Sequence, residues 1–171
     1  MNPIPTTSAA LHVGTPGVAG SLLRLWEWGV ALLGWLQAPA LLAARIYVGL
    51  AFFRSGLTKI VDWETTLALF QDEYHVPLLP TGVAAVMGTA GELVLPVLLV
   101  LGLAGRFGAL GLSVVNAIAV LSLAEIAPAA LGQHHLWGAL LAVVALWGPG
   151  KWSLDHLLWP RLRAWLRGRA A

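Results

Sequence analysis

Three fixed positive charges lie inside an apolar stretch of bilayer length, and this feature constrains the fold more than any other. Arg45, Arg54 and Lys59 stand in residues 45–59, RIYVGLAFFRSGLTK, among leucine, valine and phenylalanine side chains. Ionisable groups at membrane depth are costly, so they face protein or a watered cavity and mark functional sites. The rest of the chain must therefore supply a counter-charge.

An ideal helix divides this stretch into two faces. At about 100° per residue, one broad face carries two of the cations with small and aromatic residues between them: Arg45, Gly49, Phe52, Gly56 and Lys59. Arg54 points roughly the opposite way. This face, called the cationic seam below, therefore combines positive charge with small residues. Small residues allow other helices of a bundle to approach closely in lipid.

The composition is that of a polytopic membrane protein. Of 171 residues, 58% are hydrophobic and 11% are charged, with a mean hydropathy of +0.80; a soluble domain carries about 25% charged residues. The net charge of +2 does not indicate a nucleic-acid partner. The chain has no cysteine, which excludes disulfide exchange and thiolate metal sites.

The predicted fold class is all-α, an integral membrane four-helix transmembrane bundle with an N-terminal amphipathic interfacial helix. Four apolar segments are expected to span the bilayer, at about 40–61, 81–103, 106–125 and 134–149. Residues 21–37 are apolar but interrupted by Arg24 and Glu27, and Pro39 separates them from the first span. They are interpreted as a helix lying in the interface; a fifth transmembrane helix is the alternative.

This reading divides the chain into four parts: a disordered cytoplasmic tail at 1–20, the interfacial helix at 21–38, the transmembrane domain at 39–156 and a basic cytoplasmic tail at 157–171. The first twenty residues lack the basic start and apolar core of a signal peptide. Because two of these parts are expected to lie in or on the membrane, the lipid bilayer is the first expected partner of the chain.

The loops predict an orientation. Residues 62–80 contain four acids and no lysine or arginine, whereas Arg106 lies in the turn at 102–108 and five basic residues follow position 150. By the positive-inside rule, both termini are cytoplasmic and the acidic loop faces outward. The acidic loop is long enough to fold back as a short helix over the bundle, as a lid or as a docking surface for a partner.

One sequence pattern runs through these segments. It comprises Arg45-x3-Gly49-x2-Phe52-x3-Gly56-x2-Lys59, then Glu92, then Gly102 with Arg106, and finally Gly148-Pro-Gly-x-x-Ser153-Leu-Asp155. The pattern resembles the DoxX family over about residues 40–156. Arg54 departs from it, because an apolar residue is usual at that position in the family.

The resemblance implies a small bacterial inner-membrane (plasma membrane) protein found beside redox, sulfur-oxidation, oxidative-stress or metal-handling partners. Quinone-linked thiosulfate oxidation subunits are the nearest functional precedent. It implies no intrinsic cofactor, a quinone or other lipophilic ligand, and a protein partner that carries the redox centre. If the chain is part of an enzyme, it would be an oxidoreductase subunit. A non-enzymatic membrane scaffold or assembly factor is the alternative, and homo-oligomerisation stays open.

Glu92 is the only acid deep within the second span, about eleven residues from its start. At 1.5 Å per residue, Arg45 and Arg54 would each lie about 6 Å from its level, on opposite sides. The sequence therefore predicts that Glu92 is ionised and paired with an arginine of the first span, and the family pattern favours Arg45. An ion pair that only fixes the register of the helices is the structural alternative.

Two more residues add to this intramembrane polar site. Pro96 cannot donate to the carbonyl of Glu92 and so frees an acceptor; with Arg45 it predicts a pocket for a quinone between the first two spans. Asn116 lies near the middle of the third span. It is expected to make an interhelical hydrogen bond, and contact with a ligand is the alternative.

A second cluster is predicted at the outer ends of the spans: Lys59, Asp62, Glu125, His134 and His135. Three readings remain, namely polar anchoring at the interface, handling of a quinone head or protons, and metal binding. Adjacent histidines point about 100° apart on a helix, which disfavours joint chelation. No metal site is therefore predicted.

Overall fold

The structure, a computed structural model, describes residues 17–169 and contains six helices within them. They are α1 (Val18–Val61), α2 (Trp63–Asp72), α3 (Thr81–Leu101), α4 (Gly105–Leu121), α5 (Pro128–Trp147) and α6 (Leu154–Gly168). The described part contains no strand beyond one isolated bridge between Tyr74 and Leu123, so the all-α class is confirmed. By length and composition, α1, α3 and α5 can cross a membrane, and α4 is a shorter apolar helix of 17 residues.

The helix α1 runs unbroken through Pro39, where the sequence predicted a separation. A proline inside a helix removes one hydrogen bond, here to the carbonyl of Trp35, and the apolar residues on both sides continue the helix. Contacts divide the chain into two units, Met1–Trp35 and Leu36–Ala171. In the first unit, residues 21–35 are all exposed. The tail predicted for residues 1–20 falls mainly outside the described residues.

The second unit is a bundle whose core joins the later part of α1 to α3, α4 and α5. The buried core side chains are Leu41, Val48, Phe52, Leu99, Ala109, Leu112, Leu141 and Val144. Glycines bring α1 against α3: a Cβ added at Gly49 would lie 2.5 Å from Val100, and one at Gly56 would lie 2.9 Å from Leu93. The cationic seam predicted from the sequence is therefore a close helix contact.

Arg45 closes one end of the bundle. Its guanidinium is completely buried and donates to the carbonyls of Leu99 (3.4 Å) and Val100 (3.0 Å), and to that of Trp152. The last carbonyls of a helix have no partner within it, and lipid offers them none. Arg45 supplies this partner for α3 and ties the segment after α5 to the same point.

Asp155 completes the same end of the bundle. Its carboxylate accepts hydrogen bonds from the backbone N–H groups of Ala104 and Gly105, each at 2.8 Å, at the start of α4. Its own N–H donates to the carbonyl of Gly102 at 2.9 Å. An anionic acceptor at a helix N-terminus is favourable because the free N–H groups and the helix dipole both point to it.

The acidic loop folds into α2, as its length suggested. Asp62 caps α2 by accepting from Thr65 N at 3.0 Å, and buried Thr66 donates to the carbonyl of Lys59 at 2.8 Å. Phe70 packs against Ala84 of α3. The segment after α2 is held to the end of α4, where His75 N donates to Ser122 O at 2.8 Å.

The basic segment near the C-terminus contains a helix that the sequence did not predict. Ser153 caps α6 by accepting from His156 N at 3.2 Å, and the helix continues to Gly168. No residue of α6 is buried. Lys151 lies just before it and is also exposed.

Replacing Gly102 by alanine is predicted to destabilise the bundle. Gly102 has φ of +64°, and an added Cβ would lie 2.5 Å from the Cβ of buried Ser153. The left-handed conformation alone costs a residue with a side chain about 1–2 kcal/mol. A chemical-unfolding titration of purified protein should show a loss of at least about 2 kcal/mol.

The matched control is Gly132→Ala in α5, where an added Cβ meets no atom within 4 Å. Alanine is the better helix former, so its unfolding free energy should equal or exceed that of the wild type. Equal losses in the two variants would contradict this account of the Arg45 end of the bundle.

Candidate functional site

The charged pair in the bundle is Lys59 with Glu92. The Lys59 Nζ lies 2.5 Å from a carboxylate oxygen of Glu92, and the two side chains are 14% and 10% exposed. Lys59 also donates to Ser55 Oγ at 3.1 Å, one turn earlier on α1. Glu92 lies eleven residues after Thr81, about 16 Å along α3. The pair is therefore near the middle of a helix of membrane-spanning length.

The prediction that Glu92 pairs with an arginine of the first span is wrong, and helix register explains why. Gly56 packs on Glu92, with 3.1 Å between an added Cβ and the Glu92 Cβ. Gly56 is five residues from the end of α1, whereas Glu92 is eleven from the start of α3. The helix α1 therefore ends about six residues, or about 9 Å, deeper than α3 begins. This offset brings the side chain of Lys59 within reach of Glu92.

The same offset moves both arginines away from the carboxylate. Arg45 is eleven residues before Gly56, so it lies about 16 Å from the level of Glu92 and bonds to carbonyls at the end of α3. Arg54 is exposed on the outer side of α1, and no ion pair joins it to another residue in 17–169. Neither arginine contributes to the Glu92 site.

A cavity of about 180 Å³ lies beside the ion pair, between α2, α3 and α4. Four polar side chains line it, from Lys59, Glu92, Tyr74 and Ser122, and the rest of its wall is apolar. An engineered cavity of about 150 Å³ holds benzene, so this space accommodates one six-membered ring. An apolar wall with a few placed polar groups is typical of small-molecule sites.

The cavity shares Glu92 with the pocket that the sequence predicted, but it extends towards α2 and α4 and does not reach Gly49 or Gly56. Side chains of Val100 and Leu93 fill the space beside Gly49 and Gly56, so the structure has no room for a ligand between α1 and α3 there. Pro96 is buried within an unbroken α3. The predicted location was wrong because the glycines accommodate a neighbouring helix instead of a ligand.

The cavity reaches the outer surface of the bundle. Met87, Val114 and Ile118 line it and are themselves 58%, 58% and 37% exposed. These residues belong to α3 and α4, whose apolar outer surfaces face hydrocarbon in a membrane protein. The opening is therefore suited to a molecule that arrives from the lipid.

The segment 63–79 covers the end of the cavity that is remote from the Arg45 end of the bundle. Phe70 and Tyr74 line it from above, with ring centroids 5.0 Å apart in a tilted arrangement. Burial raises the pKa of the Tyr74 hydroxyl, and the negative charge of Glu92 adds to the increase. The hydrogen bond from the Thr65 side chain lowers the pKa of Asp62, which keeps the α2 cap ionised.

A second polar link joins α4 to α5. Asn116 Nδ2 donates to the carbonyl of His134 at 3.0 Å, and its Oδ1 lies 2.8 Å from His134 Nδ1. This confirms the predicted interhelical hydrogen bond of Asn116. The His134 and Trp137 rings are edge-on, with their centroids 5.0 Å apart. The centroid of the Trp137 ring is 5.3 Å from that of Phe52 of α1. The link therefore extends from α4 through α5 to α1.

The structure does not bring the predicted outer cluster together. Lys59 pairs with Glu92 and His134 with Asn116, whereas Asp62, Glu125 and His135 are exposed. Within residues 17–169, no group of three histidine, aspartate or glutamate side chains is placed to hold a metal ion. The separation of the two histidines agrees with their angular spacing on a helix.

Sequence reasoning missed Ser55 and Trp137 as parts of these two polar links, and Ser122 as part of the cavity wall. Ser55 precedes Lys59 by four residues and Trp137 follows His134 by three, spacings that place side chains on one helix face. Helical spacing could therefore have found these two. Ser122 enters through the contact between the segment after α2 and the end of α4, which the sequence does not encode locally.

The Lys59–Glu92 pair is predicted to show strong energetic coupling. Lys59→Met and Glu92→Gln should each cost about 3–5 kcal/mol, because each leaves a buried charge without its partner. The double variant should lose less than the sum, by about 0.5–3 kcal/mol. Unfolding titrations of the four proteins measure this coupling.

Arg45→Gln supplies the comparison. Arg45 is remote from Glu92, so the Arg45→Gln and Glu92→Gln losses should add within about 0.5 kcal/mol. Strong coupling of Glu92 to Arg45, with none to Lys59, would overturn the register described above.

Comparison with known proteins gives a family and a relative. Residues 40–125 match the DoxX family. A Haemophilus influenzae protein described as uncharacterized is 31% identical over 126 residues, which cover 70% of this chain and 83% of that protein. No solved structure matches the chain. The family match spans α1 from residue 40 to the end of α4, and so includes both members of the ion pair.

Proposed function

The chain belongs to the DoxX family of membrane proteins, and from this premise we propose that it binds a quinone or similar lipophilic molecule and couples it to a partner protein. One observation carries the proposal: an apolar cavity of ring size has the Lys59–Glu92 pair in its wall. A buried ion pair need not add stability. Its position at a cavity therefore favours a role in binding.

The residues around the cavity fit a ring with carbonyl groups. The ammonium of Lys59 is a donor for a carbonyl oxygen, and the Tyr74 hydroxyl is a second donor because burial keeps it protonated. Phe70 supplies an apolar surface for the ring. An isoprenoid tail would leave past Met87 and Val114 into the lipid. The ligand is thus held by its head and remains continuous with the bilayer.

A redox role would require a second protein. The chain has no cysteine, so it offers no thiolate ligands for an iron–sulfur cluster. We propose that the partner holds the electron-carrying centre and that this chain positions the ligand. The exposed acids of α2 and its neighbours, Glu64, Asp72 and Glu73, provide a charged surface beside the cavity for that contact.

A membrane scaffold without a ligand is the second candidate, and the Arg45 end of the bundle favours it. Buried hydrogen bonds from Arg45 and close contacts at Gly49 and Gly56 make the α1–α3 interface solid. Such packing suits a rigid anchor for other proteins. The two candidates differ in one respect, since only the first requires the cavity to be filled.

The orientation of the chain is part of the proposal: an inner-membrane protein with both termini in the cytoplasm. The end of the bundle that carries Arg106 also carries Lys151 and α6, whereas Asp62 and Glu125 lie at the other end. This segregation of charge agrees with the positive-inside rule.

Reporter fusions test the orientation. Leu78 is a fully exposed loop position and accepts an inserted reporter without interrupting a helix. A reporter active only outside the cytoplasm should give a signal at residue 78 and none when fused to the C-terminus. The same signal from both positions would contradict the orientation.

Filling the cavity is predicted to abolish ligand binding. Ala119 lines the cavity, and a leucine there would occupy much of the space for one ring. A short-chain quinone at 100-fold over its Kd should stabilise the wild type by about 2.7 kcal/mol, seen as a higher melting temperature. Ala119→Leu should remove that shift.

The matched control is Ala117→Leu on the same helix, where residue 117 is exposed and lines no part of the cavity. It should retain the full shift. If the wild type shows no shift and its organic extract holds no quinone, the scaffold is the better account. A shift that persists in Ala119→Leu would move the ligand to another site.

A further inference from the structure

The helix α6 presents an apolar stripe that nothing in the described chain covers. At 100° per residue, one arc of about 120° carries five large apolar side chains, with Asp155 of the first turn as its one polar residue within the helix: Leu154, Leu158, Leu162, Trp165 and Leu166. The last four are 43–53% exposed. An amphipathic helix exposed on this scale in a membrane protein requires a second surface to bury the stripe.

The other side of α6 is cationic. Arg163 and Arg167 lie within about 40° of each other on the side away from the stripe, Arg161 borders the stripe, and Arg169 follows the last residue of the helix. Two of the guanidinium groups stack on indole rings: Arg163 is 5.1 Å from the Trp159 centroid. Arg169 is 4.0 Å from that of Trp165. When a guanidinium group stacks on an indole ring, the N–H groups at the edges of both remain free to form hydrogen bonds.

The single acid of α6 does not neutralise these arginines. Asp155 is at the first turn, and both its oxygens accept hydrogen bonds from the start of α4. Four arginines therefore remain on a segment of fifteen residues and the residue after it. The helix has a strong positive charge beside its apolar stripe.

The structure also fixes the level at which α6 leaves the bundle. Asp155 joins it to Gly102 and Gly105, between the end of α3 and the start of α4, and Trp152 is bonded to Arg45 at the same place. The helix α5 ends at Trp147, five residues before Trp152. The ends of three apolar helices therefore meet here, which is where hydrocarbon gives way to lipid headgroups.

We infer that α6 lies on the membrane surface and binds anionic phospholipid headgroups through Arg163 and Arg167, with its leucines and tryptophans at the acyl boundary. Charge selects this occupant, since an apolar protein surface would cover the stripe and leave four guanidinium groups without counter-charges. A basic residue near an anionic membrane gains about a fivefold preference for it. The inference rests on residues 152–169 and is independent of the ligand proposed for the cavity.

Hydrogen exchange of the full chain in lipid nanodiscs tests this inference. One set of discs contains only phosphatidylcholine, and the other also contains phosphatidylglycerol. Amide protection over residues 157–168 should be higher in the anionic discs and should fall as salt rises. Arg163→Gln with Arg167→Gln should lower it there by about 25- to 30-fold. Arg163→Lys with Arg167→Lys, which keeps both charges, should retain most of the protection.

Two results would overturn the inference. Equal protection of wild-type α6 in both kinds of disc would mean that its apolar stripe alone holds it to lipid. Absence of protection in both, with the bundle amides still protected, would mean that α6 awaits a protein partner. The wild-type comparison decides the question by itself, whatever the two variants do to folding.

Discussion

The pairing of Lys59 with Glu92 is the constraint on which the rest of the bundle depends. Two opposite charges near the middle of the bilayer must meet, because lipid offers neither of them water. Lys59 is two residues from the end of α1, so α1 must end below the level at which α3 begins. Gly56 makes this offset possible by allowing the backbone of α1 to approach Glu92.

The position of the cavity follows from that offset. Because α1 ends deep, α2 starts immediately after it and crosses over α3, with Phe70 against Ala84. The space left between α2, α3 and α4 is closed by Tyr74 at its outer end and has Glu92 at its base. One ion pair thus determines where the chain has room for a ligand.

The other end of the bundle meets a different requirement, which is to satisfy helix termini in an apolar medium. Arg45 donates to the carbonyl of Val100 near the end of α3, and Asp155 accepts from the free N–H groups of α4. Gly102 provides the left-handed turn between them. These three residues belong to the pattern that resembles the DoxX family, and their contacts give a structural reason for three of its positions.

The sequence predicted where the helices lie better than it predicted which side chains pair between them. Length and apolar content identified three helices long enough to cross a membrane, whereas the predicted third span is α4, an apolar helix of only 17 residues. Helical position alone suggested the bond that Asn116 makes. The partner of Glu92 was missed because counting residues from the ends of two spans assumes that they begin at one level. The helix α6 was missed because a short basic segment carries no signal of burial, and its start depends on a contact of Asp155 that is distant in sequence.

The central claim is that Glu92 is an ionised carboxylate held by Lys59 beside the cavity. Infrared spectroscopy of the protein in lipid at neutral pH tests this directly by comparison with Glu92→Gln. The side-chain carboxyl carbons of the glutamates are isotopically labelled for this measurement. The account predicts that the variant loses a carboxylate stretch and no carbonyl stretch of a protonated acid. Loss of the protonated-acid band instead would contradict it, because a neutral Glu92 needs no cation and would not hold α1 at this depth.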